Sequence, residues 1–169
     1  MLRFNRSKLR AAYVMHFPKP ARTPQAIEGL DVLLSSIEQD GAIQDIRWVA
    51  YMLATIKHEC ANCWVPLSER GARSYFDKYE TGTALGIQLG NTQPGDGMRY
   101  KGRGPIQLTG RANYAAASRD LGVDLVNHPE LAARPDVGFR VAAWYWKTHG
   151  LNELADRGNF DGITQRINS

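Results

Sequence analysis

Thiol and imidazole chemistry has little material in this 169-residue chain, which holds two cysteines, Cys60 and Cys63, and four histidines. A C-x-x-C pair serves a zinc site only with further ligands at a comparable spacing, and His58 is the one histidine nearby. A thioredoxin-like site needs a βαβ setting, whereas the residues flanking this pair follow a helical pattern. The pair is read as structural or incidental thiols, with a local disulfide as the alternative. Long apolar runs are also lacking: no window approaches about eighteen uninterrupted apolar residues, which excludes a transmembrane helix. Near the start, the apolar run Ala11 to Met15 is too short for the core of a secretory signal and is followed by His16, Pro18 and Pro20. A cytoplasmic origin is the expectation. Charge of one sign is scarce as well, since 21 Lys and Arg against 17 Asp and Glu leave only +4, and the basic residues are scattered. That balance favours an anionic partner or surface in a general way and leaves nucleic acid as the weakest reading.

What is present is ordinary globular composition, 43% hydrophobic and 22% charged, enough for one domain spanning 1–169 that folds without metal or disulfide. Thr23 as cap, Pro24 at the first helical position and Ile27, Leu30, Leu33, Leu34 and Ile37 at helical spacing predict a helix that Gly41 ends. A second one-sided apolar stripe, from Ile46 through Val49, Ala50, Leu53, Ala54 and Lys57, carries His58 and Glu59 to its last turn. Between Ser68 and Gly110 frequent glycines predict a long loop-rich region, of the kind that is functional inside a compact domain. Further helices are expected from Ala112 to Leu121, from an Asp136 cap to Gly150, and from an Asp161 cap through Ile163 and Ile167. The class is mainly α: a lysozyme-like two-lobed fold with a helical lobe and a small loop or hairpin lobe flanking a cleft.

Glu59 sits where apolar neighbours and a helix C-terminus both disfavour an ionised carboxylate, which suits a general acid. Glycoside hydrolysis needs a second carboxylate, and Glu69, Asp77 and Glu80 all lie in the loop-rich segment. Spacing alone leaves the three open. The stretch Tyr100 to Tyr114 is the most specific in the chain. It is not a phosphate loop, because Gly102 and Gly110 bracket seven residues and no G-K-[S/T] follows. A glycine-paired turn leading to Gln107, Thr109 and Asn113 instead offers short polar groups along one wall, as sugar hydroxyls require. Trp144, Tyr145 and Trp146 are read as core, His58 as a residue that fixes its helix end by hydrogen bonding, and Arg103 and Arg111 as structural or cleft-organising.

The set His58-Glu59, Leu89-Gly90-Asn91-Thr92, Pro94-Gly95-Asp96-Gly97, Tyr100 to Tyr114 and Ile163 to Asn168 resembles glycoside hydrolase family 19, the plant-chitinase-like family, in its bacteriophage endolysin branch. The resemblance covers roughly 45–168. It implies an inverting hydrolase of β-1,4-linked N-acetylhexosamine polymers, with Glu59 as general acid and a second carboxylate that works beside a hydroxyl aligned with Thr109. The plant pattern places that carboxylate nearer Glu80 and the compact phage-type pattern at Glu69; Glu69 is preferred. Gln107 and Asn113 match groove-lining positions, and Arg166 and Asn168 match the region near the site, where Ser169 departs from the family's Gly-Gly; Tyr100 and Tyr75 are read, from the residues themselves, as candidate cleft walls. Peptidoglycan glycan strands are the expected partner, with a monomeric enzyme, no cofactor, no stable membrane insertion and no separate wall-binding domain. By the same resemblance it waits in the host cytoplasm for holin-dependent release to the periplasm and wall. A chitinase, a lytic transglycosylase and a catalytically silent wall-binding module remain the competing expectations.

Overall fold

Capping residues set where the principal helices begin. The structure, a computed structural model, describes residues 2–17, 23–41, 43–60 and 64–167. Within it the Thr23 hydroxyl accepts the Ala26 N–H at 3.1 Å and Pro24 opens helix α2 (Pro24–Gln39), as the sequence predicts. Asp45 accepts the Arg47 N–H at 2.8 Å and opens α3 (Ile46–Glu59). Ahead of both lies α1 (Arg6–His16), capped by Asn5, which the sequence reading left unassigned. Its basic residues pair with α2, Arg6 with Glu38 at 2.7 Å and Arg10 with Asp31.

Two compact units divide the chain: residues 1–65 with 145–169, and residues 66–144. In the first, Leu30, Leu33, Leu34 and Ile37 of α2 and Val49, Met52 and Ile56 of α3 are core residues, each at most 2% exposed. Burial of each such side chain stabilises the fold by about 1.5–3 kcal/mol. Trp64, 3% exposed, donates its indole N–H to the Tyr13 hydroxyl at 2.7 Å. Its carbonyl lies so near α2 that a Cβ on Gly29 would stand 2.3 Å from it, so only glycine fits there. Small side chains on α1 and α3, Ala12, Ala50 and Ala54, leave an apolar cavity of ≈ 390 Å³ that Leu9, Leu53 and Trp64 help to line. The unit closes with the end of α7 (Pro135–Thr148), α8 (Leu151–Asp156) and α9 (Phe160–Ile167). Asn159, not Asp161, accepts the capping N–H of α9, from Gly162 at 2.8 Å; Asp161 lies in the first turn.

The second unit holds an antiparallel pair of two-residue strands, β1 (Leu67–Ser68) and β2 (Arg103–Gly104), in the register Leu67↔Gly104 and Ser68↔Arg103. The expected loop region is built of short helical turns: a 3-10 helix Arg73–Tyr79, α4 (Ala84–Gln88) and α5 (Asp96–Arg99). Glycine-separated segments of this length escape periodicity arguments, because an apolar stripe needs several turns to declare itself. Helix α6 (Arg111–Leu121) follows, ended by Gly122 at φ +64°, then a 3-10 helix Pro129–Ala133 and the first part of α7. The mainly α class holds, and Trp146 is buried as core at 2% exposure, while Trp144 and Tyr145 are half-buried.

Gly29→Ala is expected to destabilise the protein by about 2–3 kcal/mol, the scale of overpacking against a backbone that cannot withdraw. Chemical denaturation of the variant beside the wild type measures it, and an unchanged midpoint would disprove the close approach.

Candidate active site

Glu59 is the last residue of α3 and is half-buried, with no hydrogen bond or ion pair to its carboxylate among the described residues. The neighbouring His58 does not fix the helix end through its ring, as the sequence suggested; its side chain is exposed. Arg166, on α9, is exposed and donates to the His149 carbonyl at 3.3 Å, while its own carbonyl accepts the Tyr145 hydroxyl at 3.2 Å. The Tyr145 and His149 rings stack at 3.6 Å, and burial is the main cause that lowers the His149 pKa, with the Arg166 charge adding to it. Asn168 lies outside the described residues, as does Cys63. Cys60 is buried, and its Sγ accepts the Trp64 N–H at 3.2 Å.

The second unit carries a polar cluster around Gly102. Glu69 follows β1, and its backbone N–H donates to the Gly102 carbonyl at 2.8 Å. Its carboxylate is gripped at both oxygens: Oε1 accepts the Tyr79 hydroxyl at 3.0 Å and Oε2 the Gly102 N–H at 3.0 Å. A Cβ on Gly102 would lie 2.8 Å from Gln107 Oε1, 3.2 Å from Glu69 Oε2 and 3.3 Å from Thr109 Oγ1. Three of the residues named from sequence therefore converge on one small space, which exists because residue 102 has no side chain. Along 102–110, Gln107 and Thr109 are half-buried and the other residues are buried.

The hydrogen bonds fix which atoms of this cluster remain available. The single hydroxyl proton of Thr109 goes to the Gln107 carbonyl at 2.7 Å, so Oγ1 presents lone pairs. Gln107 donates Nε2 to the carbonyls of Leu67 at 3.2 Å and Gly104 at 3.0 Å, so its Oε1 also presents lone pairs. To hold this pose the Gln107 backbone adopts φ +53°, in the left-handed region that costs about 1–3 kcal/mol and concentrates at functional sites. Carboxylate, amide and hydroxyl oxygens around one point favour a guest rich in protons, and water is the smallest such guest. A water donating to Glu69 and to Thr109 keeps a lone pair free to attack, which is the geometry of general-base catalysis.

Tyr79 was not singled out from the sequence. Burial, with a smaller push from Glu69, holds its phenol above the ordinary value against the opposing pull of Lys78, so it stays a proton donor to Glu69. Its signal was the spacing Tyr75, Phe76, Tyr79 before Glu80, which a 3-10 helix turns into one aromatic cluster. Asn113 donates to the Thr109 carbonyl at 2.9 Å and is half-buried beside the cluster. Tyr100 is a correction: it is 1% exposed, its hydroxyl donates to the Val126 carbonyl at 3.0 Å, and it offers no wall to a ligand. Glu80 accepts the N–H groups of Gly95 at 2.8 Å and Gly97 at 3.2 Å, which makes it a loop anchor, and Asp77 is exposed. No three His, Cys, Asp or Glu side chains among the described residues gather as a metal site.

The cluster is braced by the Asp96–Arg111 pair. Asp96, 1% exposed, accepts Arg111 Nη2 at 2.6 Å and Nε at 2.7 Å, and the N–H groups of Thr92 at 2.9 Å and Gln93 at 3.0 Å. Burial pushes the Asp96 carboxyl up, but these bonds outweigh it and hold the pKa below the ordinary value. Arg103, buried, donates to the Tyr114 hydroxyl at 3.0 Å, and burial lifts that phenol to about 12 despite the nearby guanidinium.

The chain matches the family model described as chitinase class I over residues 36–157. A Haemophilus influenzae protein named as a glycosyl hydrolase family 19 domain-containing protein is 34% identical over 170 residues, covering 86% of this chain and 82% of that one. Endochitinase A2 of Pisum sativum is 36% identical over 106 residues, covering 60% of this chain and 32% of its own length. The chain thus spans most of the bacterial relative and about a third of the plant one. Among solved structures, chitinase C from Streptomyces griseus shares the fold at a TM-score of 0.64 and 24% identity, over 94% of this chain and 64% of that one.

Replacing Asp96 with Asn is expected to cost about 3 kcal/mol, because Arg111 is left partly buried without its counter-charge. A carboxyl whose folded pKa is depressed contributes stability above its unfolded value of about 4 and loses it as pH falls through the folded value. The gap in melting temperature between wild type and Asp96→Asn should therefore be full at neutral pH and narrow below about pH 4. A gap independent of pH would refute the ion pair as its source.

Proposed function

Because this chain belongs to glycoside hydrolase family 19, it is a chitinase-related glycoside hydrolase, and we propose that it acts as an endolysin on the glycan strands of bacterial peptidoglycan. The observation that carries the mechanism is the convergence of Glu69, Gln107 and Thr109 oxygens on the space above Gly102. Glu69 is the base that takes one proton of the attacking water, and Thr109 orients that water by accepting its other proton through an Oγ1 lone pair. Glu59 is the acid that protonates the departing glycosidic oxygen of the β-1,4 bond. Direct attack by water in a single displacement inverts the anomeric centre.

Preference for peptidoglycan is supported by the net charge of +4, which suits an anionic wall, and by the resemblance of the Gly95 to Tyr114 motif to the phage-type branch. Under this reading the enzyme needs no cofactor, works as a monomer, accumulates in the host cytoplasm and reaches the wall once a holin opens the membrane. The named plant relative is an endochitinase, which supports a second reading: hydrolysis of neutral N-acetylglucosamine polymer.

Purified peptidoglycan digested with wild type, Glu59→Gln and Glu69→Gln, followed by borohydride reduction and mass spectrometry, separates these readings. Wild type is expected to release reducible ends, and each variant to lose activity by about 10²–10⁴ while remaining folded. Thr109→Val, which keeps the shape and removes the lone pairs, should lose about tenfold in kcat, the scale of one hydrogen bond to the attacking water. Anhydro ends would make the enzyme a transglycosylase, and intact glycan with cleaved chito-oligosaccharide would favour the chitinase.

A further inference from the structure

Cations among the described residues are held in several ways. Arg6, Arg10, Arg47, Arg111, Arg119 and Arg134 are each paired with a carboxylate. Lys78 and Lys101 are held against aromatic faces instead. The Lys78 ammonium stands 3.7 Å from the centre of the Tyr75 ring and 4.6 Å from that of Tyr79, and the Lys101 ammonium 5.0 Å from that of Phe76. The three rings form one cluster, with Tyr75 and Phe76 edge to face at 5.2 Å and Phe76 and Tyr79 at 6.4 Å.

The difference matters because an aromatic face positions a cation without cancelling its charge. Neither lysine makes an ion pair among the described residues, and the neighbouring Tyr75 side chain, with a smaller share from Tyr79, raises the Lys78 pKa. The acids nearby are accounted for. Glu80 is bonded to Gly95 and Gly97, Glu69 to Tyr79 and Gly102, and Asp77 is the one exposed carboxylate on the 3-10 helix. Each lysine also sits one residue from a group that grips Glu69: Lys78 precedes Tyr79, and Lys101 precedes Gly102.

We propose that Lys78 and Lys101 form an anion-reading subsite beside Glu69, which takes carboxylates borne by the substituents of a glycan strand. This rests on the peptidoglycan reading and names the feature of that substrate which the site recognises. The muramyl units of peptidoglycan carry lactyl and peptide carboxylates, whereas N-acetylglucosamine homopolymer is neutral. Two uncancelled ammonium groups next to the base gain attraction only from the charged strand, so they act on the choice between substrates more than on the bond-breaking step.

The test compares kcat/KM on solubilised peptidoglycan strands and on chitohexaose for wild type, Lys78→Gln/Lys101→Gln and Lys78→Arg/Lys101→Arg. The ratio of peptidoglycan to chitohexaose activity should fall about tenfold in the glutamine variant, the scale of two exposed ion pairs, with the loss in KM. The arginine variant, which keeps both charges over the rings, should restore the ratio. Masking the substrate carboxylates as amides should bring wild type down to the glutamine variant's ratio. If wild type cleaves peptidoglycan and the glutamine variant keeps the same ratio, the subsite is refuted while the substrate reading stands. If wild type cleaves chitohexaose and leaves peptidoglycan intact, both fall together.

Discussion

A buried carboxylate, Asp96, organises the second unit. Its two oxygens take four donors, two from the Arg111 guanidinium and two from the backbone at Thr92 and Gln93. The Leu89–Gly97 turns are thereby tied to the start of α6. From there the constraint spreads through ordinary hydrogen bonds: the Arg111 N–H to Asn91 at 2.7 Å, Asn91 to the Tyr79 carbonyl at 2.7 Å, and the Gly110 N–H to the Tyr100 carbonyl at 2.8 Å. Tyr79 and the Gly102–Thr109 segment, which together frame Glu69, are placed by the same network. A half-satisfied version would leave charge in a low-dielectric setting, so the arrangement forms as a whole or not at all.

The sequence was most legible where a physical rule acts over several turns. Helices α2 and α3 announce themselves through Thr23 with Pro24 and through an apolar stripe, and both begin where those signals place them. α1 escaped because its apolar residues bunch in the run Ala11 to Met15 and draw no one-sided stripe, and pairing with α2 through Glu38 and Asp31 supplies what periodicity does not show. The segment from Ser68 to Gly110 read as loop because its helices are four to seven residues long and glycine-separated. For the cluster around Gly102, the Tyr100 to Tyr114 stretch pointed to Gln107 and Thr109 and the family resemblance to Glu69, but neither could tell an enclosed tyrosine from a lining one. Tyr100 and Tyr114 are spaced like groove residues, yet both are buried against each other at 5.3 Å.

A division of labour among polar groups follows. The side-chain donors of Gln107 and Thr109 are spent on backbone carbonyls, and what they leave outward are acceptors. Guanidinium groups are matched with carboxylates or carbonyls and serve the scaffold, as Arg103 and Arg111 do. The Lys78 and Lys101 ammonium groups lean on aromatic rings, a support that fixes position and leaves the field intact.

Gln107 shows how narrowly such a wall constrains its own residues. A backbone at φ +53° is easiest for glycine or asparagine. Glycine lacks an amide, and the asparagine amide is one methylene too short to bridge the Leu67 and Gly104 carbonyls as the glutamine does. Local comfort and side-chain reach therefore select different amino acids at the same position. Screening this protein for heat tolerance would reward substitutions at 107 that relax the chain, and each would forfeit the amide oxygen that lies over Gly102 beside those of Glu69 and Thr109. A relaxed backbone and an intact oxygen cluster are opposed at this one residue, so stabilising changes belong elsewhere in the molecule.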